Sequence, residues 1–194
     1  MKVLALIGSP RKNGNTDIMA DEVLRGASDV GSFAGKIYLD DYNVRPIADV
    51  IDKAAEREDV RSDDDFPTLL EKFLDSDIII LSTPVYWFGF SAQLKCFIDR
   101  LSSYFRRPPY AQRFDDKGYI VLCAYGRSEE FNAKSVTEPA KHIAETLRGY
   151  YLGDVCAPNM YQKGRVSEYP DILKACYKIG YKAHDHLGVL RSKE

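Results

Sequence analysis

The chain has 194 residues, of which 45% are hydrophobic and 29% are charged, and its formal net charge is −2. These values predict one soluble globular domain over residues 1–194, and the absence of a basic block argues against nucleic acid or an anionic membrane surface as main partner. No apolar run is long enough to span a membrane, and the chain starts with a strand and not with a signal peptide. Its four cysteines form no C-x-x-C pair, which is typical of free thiols in a reducing compartment. We therefore expect a cytoplasmic protein without a metal site.

The first predicted strand is the apolar run Val3–Ile7, and a loop with two glycines and a proline follows it. A helix with its apolar residues on one side is predicted over Asn15–Ser28. A strand, a polar loop and a helix start in this order present backbone N–H groups and the positive end of the helix dipole to an anion.

The residues of this loop indicate which anion it suits. They match neither the nucleoside-triphosphatase loop nor the Gly-x-Gly-x-x-Gly fingerprint of dinucleotide sites. They offer donors for a monophosphate ester that is held and not hydrolysed: the hydroxyl groups of Ser9 and Thr16, the amide of Asn15 and the guanidinium of Arg11. The alternative is a polar loop that only caps the helix, with Asn15 or Thr16 as the N-cap.

The second strand is predicted over Lys36–Leu39, and its alternation of polar and apolar residues favours the edge of a sheet. Residues 42–62 are rich in charge and are predicted to form a partly helical, solvent-facing insertion, either functional or a plain solvated loop. Asp63–Asp65 precede Pro67 and indicate a helix start. We interpret the three acidic residues as helix-capping and dipole-stabilising groups and not as a metal site.

A strongly apolar strand is predicted over Ile78–Leu81, and the loop Thr83–Gly89 follows it. The clearest amphipathic helix of the chain is predicted next, over Ser91–Phe105. The fourth strand is predicted over Tyr119–Ala124, and it runs into the loop Tyr125–Ser128.

The remaining elements are a helix with Pro139 near its start that ends near Gly149, a weaker strand over Tyr150–Cys156, and a last helix that begins at Pro170. Strands and helices thus alternate along the chain, which predicts a parallel sheet covered on both faces. Five strands and five helices suit a flavodoxin-like α/β three-layer sandwich with strand order 2-1-3-4-5. In such sheets the ligand lies beyond the carboxyl ends of the strands, where the loops after strands one, three and four meet.

The loop after the third strand is rich in aromatic residues. Pro84 fixes its own backbone, and we expect Gly89 to let the chain turn sharply. Tyr86, Trp87 and Phe88 lie between them, and aromatic side chains in a loop favour a planar ligand or a protein interface. A flat heteroaromatic ring beside a phosphate pocket fits flavin mononucleotide (FMN). The alternative is that the rings pack in an oligomer interface, and the two interpretations are compatible.

Two long motifs make a family resemblance specific. They are Gly8-Ser9-Pro10-Arg11-x-x-Gly14-Asn15-Thr16, and Asp77-Ile78-Ile79-Ile80-x-Ser82-x-Pro84-Val85-Tyr86-Trp87 with Ser91-Ala92-x-Leu94-Lys95-x-Phe97-Ile98-Asp99-Arg100. Because both motifs are present in this order, the chain resembles the NAD(P)H-dependent FMN reductase family. Within that family it resembles the branch of iron–sulfur flavoproteins and multimeric flavodoxins. The resemblance covers roughly residues 1–130, and the last third of the chain matches in layout only.

The resemblance implies a cofactor site in three parts. Its residues are Ser9, Arg11, Gly14, Asn15 and Thr16 around the phosphate, Pro84, Val85, Tyr86, Trp87 and Phe88 along the isoalloxazine ring, and Tyr125 and Gly126 on the other side of that ring. Lys95, Asp99 and Arg100 belong to the family pattern, and we expect them to stabilise a helix and an interface. No side chain is assigned as catalytic, because the chemistry belongs to the flavin. The three histidines, His142, His184 and His186, fall in predicted helices away from the loops.

One departure from this branch concerns the cofactors. Iron–sulfur flavoproteins carry a compact cysteine cluster between the second strand and the next helix, whereas the first cysteine of this chain is Cys96. Thiolate ligands for an iron–sulfur cluster are therefore missing from that region. We predict FMN alone, with no iron–sulfur cluster.

The resemblance implies an oxidoreductase in which NADPH or NADH reduces the flavin and the flavin then reduces free flavin, a quinone or another small-molecule acceptor. Two alternatives stay open: an electron carrier of the flavodoxin type, and a flavin-binding module without turnover. The aromatic loop and the insertion also lead us to expect a homodimer or homotetramer.

Overall fold

A computed structural model describes residues 1–47, 63–128 and 130–193. The elements are β1 (Lys2–Ile7), α1 (Asn15–Asp29), β2 (Phe33–Tyr38), α2 (Phe66–Leu74), β3 (Ile78–Pro84), α3 (Ala92–Arg100), β4 (Gly118–Ala124), α4 (Glu130–Thr146), β5 (Tyr150–Ala157) and α5 (Pro170–Arg191). Short 3₁₀ helices lie at Leu39–Asp41, Leu101–Ser103, Ala111–Phe114 and Arg165–Glu168.

The five strands form one parallel sheet with the order β2-β1-β3-β4-β5. Helices cover both of its faces: apolar residues of α2, α3 and α4 pack on one side, and those of α1 and α5 pack on the other. The central strands β1, β3 and β4 are buried almost throughout, as expected for a sheet covered on both faces. The predicted flavodoxin-like fold and strand order are confirmed.

Some element boundaries differ from the sequence-based prediction. Helix α3 ends at Arg100 and not at Phe105, because the chain tightens into a 3₁₀ turn in which Leu101 still faces the core. Pro139 lies in the middle of α4 and not near its start. The pattern missed the first half of α4 because the buried residues described there, Ala133 and Val136, are small. Strand β2 begins at Phe33, three residues before the predicted start.

The acidic run before α2 has the predicted helix-capping role only in part. Asp65 is the N-cap residue of α2, but its side chain makes no cap hydrogen bond. The carboxylate of Asp64 instead accepts a hydrogen bond from the backbone N–H of Phe66, at 3.1 Å. The same carboxylate accepts a 2.6 Å hydrogen bond from the Arg100 guanidinium, and both side chains are fully buried. The capping interpretation is therefore wrong for the side chain of Asp65. The Asp64 side chain caps the helix and also forms an ion pair with the buried Arg100, which lies 36 residues away in sequence.

The two ends of the predicted insertion are joined to each other. The backbone N–H of Asp65 donates to the carbonyl of Asn43 at 3.0 Å, and the N–H of Arg45 donates to the Asp64 carboxylate at 3.0 Å. The Arg100 guanidinium also donates to the carbonyl of Arg45. Residues 48–62 lie outside the described residues, so the predicted partly helical character of the insertion stays a prediction.

The buried pair of Asp64 and Arg100 makes the stability of the fold depend on pH in the acid range. Burial of Asp64 opposes ionisation, but hydrogen bonds from Arg100 and from the backbone N–H groups of Arg45 and Phe66 outweigh it and lower the pKa of Asp64. A carboxyl group whose pKa is lowered in the folded state contributes stability above its ordinary pKa. It loses that contribution as the pH falls through the lowered value.

We predict that Arg100→Met lowers the free energy of unfolding by about 3–5 kcal/mol, because it leaves the Asp64 carboxylate buried and uncompensated. Urea unfolding at pH 7 measures this loss. The matched control is Lys95→Ala, which removes the exposed ion pair between Lys95 and Asp99 and is expected to cost no more than about 0.5 kcal/mol. Equal losses for the two variants would contradict the assignment of the buried pair.

Candidate functional site

Loops that follow β1, β3, β4 and β5 meet at the carboxyl edge of the sheet and line one cavity of about 240 Å³. The lining residues are Ser9, Arg11, Gly14, Asn15, Thr16, Pro84, Val85, Tyr86, Ala124, Tyr125, Gly126, Met160, Tyr161 and Lys163. Parallel strands end at the same edge, so adjacent strands bring these distant segments together.

The structure brings most of the predicted site residues to this cavity. Among those predicted, Trp87 and Phe88 do not line it. Sequence reasoning missed Met160, Tyr161 and Lys163, which belong to the segment after β5. The predicted strand order could have identified this segment. It places β5 beside β4, so the loop after β5 must begin at the same edge of the sheet.

The first loop leaves the N-terminus of α1 open towards the cavity. Gly14 is the N-cap residue of α1, so no side chain satisfies the first N–H groups of that helix. The N–H of Gly14 donates to the carbonyl of Arg11 at 2.8 Å, and a Cβ atom at position 14 would lie 2.6 Å from that same oxygen. The Ser9 hydroxyl accepts a hydrogen bond from the N–H of Arg11. The turn thus leaves the N-terminus of α1 without a side-chain cap, which is the geometry that favours an anion.

The side chain of Asn15 has a role that the sequence did not indicate. Its amide nitrogen donates to the carbonyl groups of Met160 and Gln162, at 3.2 and 2.8 Å, and its oxygen accepts from the N–H of Val166 at 3.0 Å. The expectation that this amide group holds a phosphate therefore does not fit the structure. Asn15 instead joins the first loop to the segment after β5, and its contribution to an anion site is the backbone N–H.

A buried carboxylate lies in the first turn of α1. Asp17 is fully buried and accepts a hydrogen bond from the N–H of Asn13 at 2.6 Å. Its negative charge is balanced by the Lys36 ammonium at 2.7 Å, and the Tyr38 hydroxyl donates to it at 2.9 Å. Burial of Lys36 favours its neutral form, but hydrogen bonds to Asp17 and Asp21 outweigh this effect and raise the pKa of Lys36. The carboxylate therefore shapes the loop without leaving an unbalanced negative charge beside the open helix N-terminus.

The second loop is a tight hairpin turn. The backbone N–H and carbonyl groups of Tyr86 bond reciprocally with those of Gly89, each at 3.1 Å. The two residues between them, Trp87 and Phe88, have φ angles of +47° and +61°. Such values at both central positions are typical of a type I′ turn, which normally selects Asn or Gly.

This turn corrects the expectation for Gly89. Gly89 is not left-handed, and a Cβ atom there would come no closer than 3.9 Å to its surroundings. The left-handed backbone conformation occurs instead at Trp87 and Phe88, whose side chains are 96% and 56% exposed. Left-handed backbone at a bulky residue costs on the order of 1–3 kcal/mol, and such strain is concentrated at functional sites.

The third wall is formed by the chain after β4 and β5. The N–H of Tyr125 donates to the carbonyl of Ala157, and the carbonyl of Tyr125 accepts from the N–H of Met160 at 2.8 Å. The ring of Tyr161 lies directly against Gly126, since a Cβ atom at position 126 would be 2.5 Å from that ring. This wall therefore presents aromatic side chains and backbone to the cavity that Pro84–Tyr86 also line.

Other candidate groups lie elsewhere. The three histidines are in α4 and α5 and do not line the cavity, as predicted. No group of His, Cys, Asp or Glu within the described ranges is arranged to hold a metal ion. All four cysteines are free thiols. Over the same ranges, none of the helices has the length and apolar character needed to cross a membrane.

Residues 1–162 match the family model described as NADPH-dependent FMN reductase. The chain belongs to this family. It is 32% identical over 161 residues to YwqN of Bacillus subtilis, whose name is that of an NAD(P)H-dependent FMN-containing oxidoreductase. That alignment covers 79% of this chain and 85% of YwqN. An iron–sulfur flavoprotein of Archaeoglobus fulgidus is 32% identical over 132 residues, which are 67% of this chain and 58% of the relative.

Several solved structures share the fold. The Trp repressor binding protein of Bacillus subtilis superposes with a TM-score of 0.70 at 25% identity, over 92% of this chain and 98% of the other. The NAD(P)H:quinone oxidoreductase of Methanothermobacter marburgensis gives a TM-score of 0.70 at 17% identity, over 94% and 98% of the two chains. The expected family and the expected function, an FMN-binding oxidoreductase that uses NAD(P)H, are confirmed.

We predict that Lys36→Met weakens FMN binding roughly tenfold, or about 1.4 kcal/mol, because it leaves the Asp17 carboxylate unbalanced beside an anion site. Titration of the apoprotein with FMN, followed by flavin fluorescence, measures the change. The double variant Lys36→Met/Asp17→Asn restores the charge balance and should recover most of the affinity. An unchanged affinity in Lys36→Met would show that the pair does not act on the cofactor.

Proposed function

We propose that the cavity at the carboxyl edge of the sheet binds FMN, that NADPH or NADH reduces it there, and that the electrons then pass to a small acceptor such as free flavin or a quinone. One observation carries this proposal. A single cavity combines a helix N-terminus that has no side-chain cap with walls of aromatic side chains and backbone. Family membership supports the cofactor and the nicotinamide, and the site residues and the acceptor are our assignments.

The first loop has the donors that a phosphate monoester requires. Ser9 and Thr16 supply hydroxyl groups, Arg11 and Lys163 supply cationic groups, and the first turn of α1 supplies backbone N–H groups. The acidic residue of that turn, Asp17, is already balanced by Lys36. Because anions are stabilised at helix N-termini, a phosphate dianion fits this end of the cavity.

The other end of the cavity suits a planar ring. Pro84, Val85 and Tyr86 line one side, and Tyr125 with Gly126 lines the other, with the Tyr161 ring against Gly126. When bound, the flavin supplies the hydride-accepting and electron-donating chemistry. The chain orients the ring between these two walls and excludes water from its faces, and none of its titratable side chains is assigned a proton-transfer step.

Trp87 and Phe88 lie beyond the cavity lining, at the exposed tip of the hairpin. Exposed apolar tips of this kind favour a protein interface, and strain at the tip supports a functional reason for these residues. We propose that the tip packs against another copy of the chain in a homodimer or homotetramer. A solution mass of one chain, measured by light scattering at micromolar concentration, would overturn this assembly.

FMN is proposed as the resident cofactor without an iron–sulfur cluster. The basis is the sequence, in which no cysteine precedes Cys96. Of the four cysteines, Cys123 and Cys176 are buried in the core and have no neighbouring set of ligands among the described residues. The cytoplasmic location, expected from the free thiols, stays a prediction.

We predict that Arg11→Ala and Thr16→Val each weaken FMN binding about 10- to 100-fold, because hydrogen bonds to a charged group contribute about 1.5–3 kcal/mol. Isothermal titration of the apoproteins measures the affinity. The control is Lys12→Ala, since Lys12 is exposed, pairs with Asp41 and does not line the cavity. Full affinity in both site variants would refute the phosphate assignment.

The proposed reaction is tested by the visible spectrum of the FMN-loaded, desalted protein under anaerobic conditions. Addition of NADPH or NADH should bleach the flavin band, and addition of a quinone or free flavin should restore it. A band that only dithionite bleaches would favour an electron carrier or a binding module. Loss of the band on desalting would contradict the cofactor site.

A further inference from the structure

A second concave surface lies between the edge strand β5 and helix α5, with a volume of about 310 Å³. We name it the β5–α5 groove, and its lining residues are Leu152, Asp154, Val155, Ala175, Lys178, Ile179, Lys182, Ala183 and His186. It shares no lining residue with the flavin cavity. The groove is therefore a separate feature, and a ligand bound there would not occupy the flavin site.

The floor of the groove is apolar and its rim is basic. Leu152, Val155 and Ile179 provide the buried or half-buried apolar part. Lys178 and Lys182 are exposed on the rim, and neither ammonium group forms an ion pair within the part of the chain that the structure describes.

The one acidic residue of the groove does not balance these lysines. The carboxylate of Asp154 accepts a hydrogen bond from the Tyr151 hydroxyl at 2.8 Å and one from the Cys156 thiol at 3.4 Å. Its partners are thus neighbours on its own strand. Both donors are uncharged, so Asp154 keeps its negative charge, and it is the excess of two lysines over one carboxylate that leaves the groove with a net positive charge. This charge lies next to an apolar surface, which is complementary to a ligand with acidic ends and apolar stems.

The strand beside the rim is a free edge of the sheet. β5 pairs with β4 on one side only, so the backbone groups on its other side have no strand partner among the described residues. The register with β4 shifts between Tyr119 and Ile120, where Gly153 on β5 has a φ angle of +131°, and it is regular over Asp154–Ala157. This regular stretch is a suitable template for an added strand.

The spacing of the rim matches that of a strand. Lys178, Lys182 and His186 follow one another at intervals of four residues on α5, which is about 6 Å of helix rise per step. Side chains on one face of a strand recur about every 6.6 Å. Alternate residues of a strand lying along the groove are therefore spaced closely enough to face Lys178, Lys182 and His186 in turn, over two successive steps. Glutamate fits best, because its methylene groups can cover the apolar floor while its carboxylate reaches an ammonium group.

We propose that the β5–α5 groove docks an extended acidic segment of a partner protein, which adds a strand to the edge of β5 and places glutamates at alternate positions against Lys178, Lys182 and His186. Backbone hydrogen bonds along β5 provide binding, and the basic rim selects the charge and register of the segment. The groove thereby gives this family member a protein partner in addition to its small-molecule substrates.

The test uses the full-length, FMN-loaded protein and a fluorescein-labelled nonapeptide, Thr-Glu-Val-Glu-Val-Glu-Val-Glu-Thr, followed by fluorescence anisotropy. We expect saturable binding that weakens with added salt, and at least tenfold weaker binding of the same peptide with Gln in place of Glu. Binding should slow hydrogen exchange of amides in β5.

The variant Lys178→Glu/Lys182→Glu should weaken peptide binding at least tenfold while it retains the flavin. The matched control Lys72→Glu/Lys95→Glu changes the net charge equally on α2 and α3 and should bind within twofold of the wild type. If the groove variant fails to fold, Lys178→Met/Lys182→Met removes the charges and keeps the side-chain stems. The proposal is overturned if no saturable binding occurs, if the control loses as much affinity as the groove variant, or if an equally charged peptide with a central proline binds as well.

Discussion

The side chain of Asn15 makes the three hydrogen bonds on which the shape of the cavity at the carboxyl edge of the sheet depends. It joins the N-terminus of α1 to the segment after β5, through Met160, Gln162 and Val166. A buried amide that satisfies both its donors and its acceptor holds its partners in one arrangement, because breaking it leaves several polar groups unpaired at once. These hydrogen bonds therefore connect two segments of the cavity lining that lie about 145 residues apart in sequence.

The charge balance of the site also depends on buried groups with fixed partners. A carboxylate in the first turn of a helix is favourable for the helix itself, but it opposes an anionic ligand at the same place. In this chain Lys36 from the edge strand β2 and the hydroxyl of Tyr38 hold Asp17, so that the carboxylate orders the loop through Asn13. The edge strand thus contributes to the site although it does not line the cavity.

The fold and most of the cavity could be predicted because they depend on local patterns. Buried strands, a glycine-rich turn before a helix and the rule that parallel strands end at one edge were sufficient for Ser9, Arg11, Thr16, Tyr86 and Tyr125. Pairings over long sequence separations leave no such pattern, and for this reason the sequence predicts helix capping by Asp63–Asp65 but not the ion pair of Asp64 with Arg100. The turn at Trp87 and Phe88 was missed for another reason: its backbone contradicts the ordinary preferences of both residues, so glycine was the natural expectation.

The hydrogen bonds that join Arg45 to the chain near Asp63 allow the segment between them to change in length. Residues 43–45 and 63–65 form a closed base that is held by backbone hydrogen bonds and by the buried Arg100. The entropy of closing a loop grows only with the logarithm of its length, so a base of this kind accepts segments of very different size at little cost in stability. The base adjoins α2 and is held by Arg100 of α3, and its residues do not line the cavity at the carboxyl edge of the sheet. It is therefore a place where the chain can be lengthened by insertion while the cavity at the carboxyl edge of the sheet keeps its geometry.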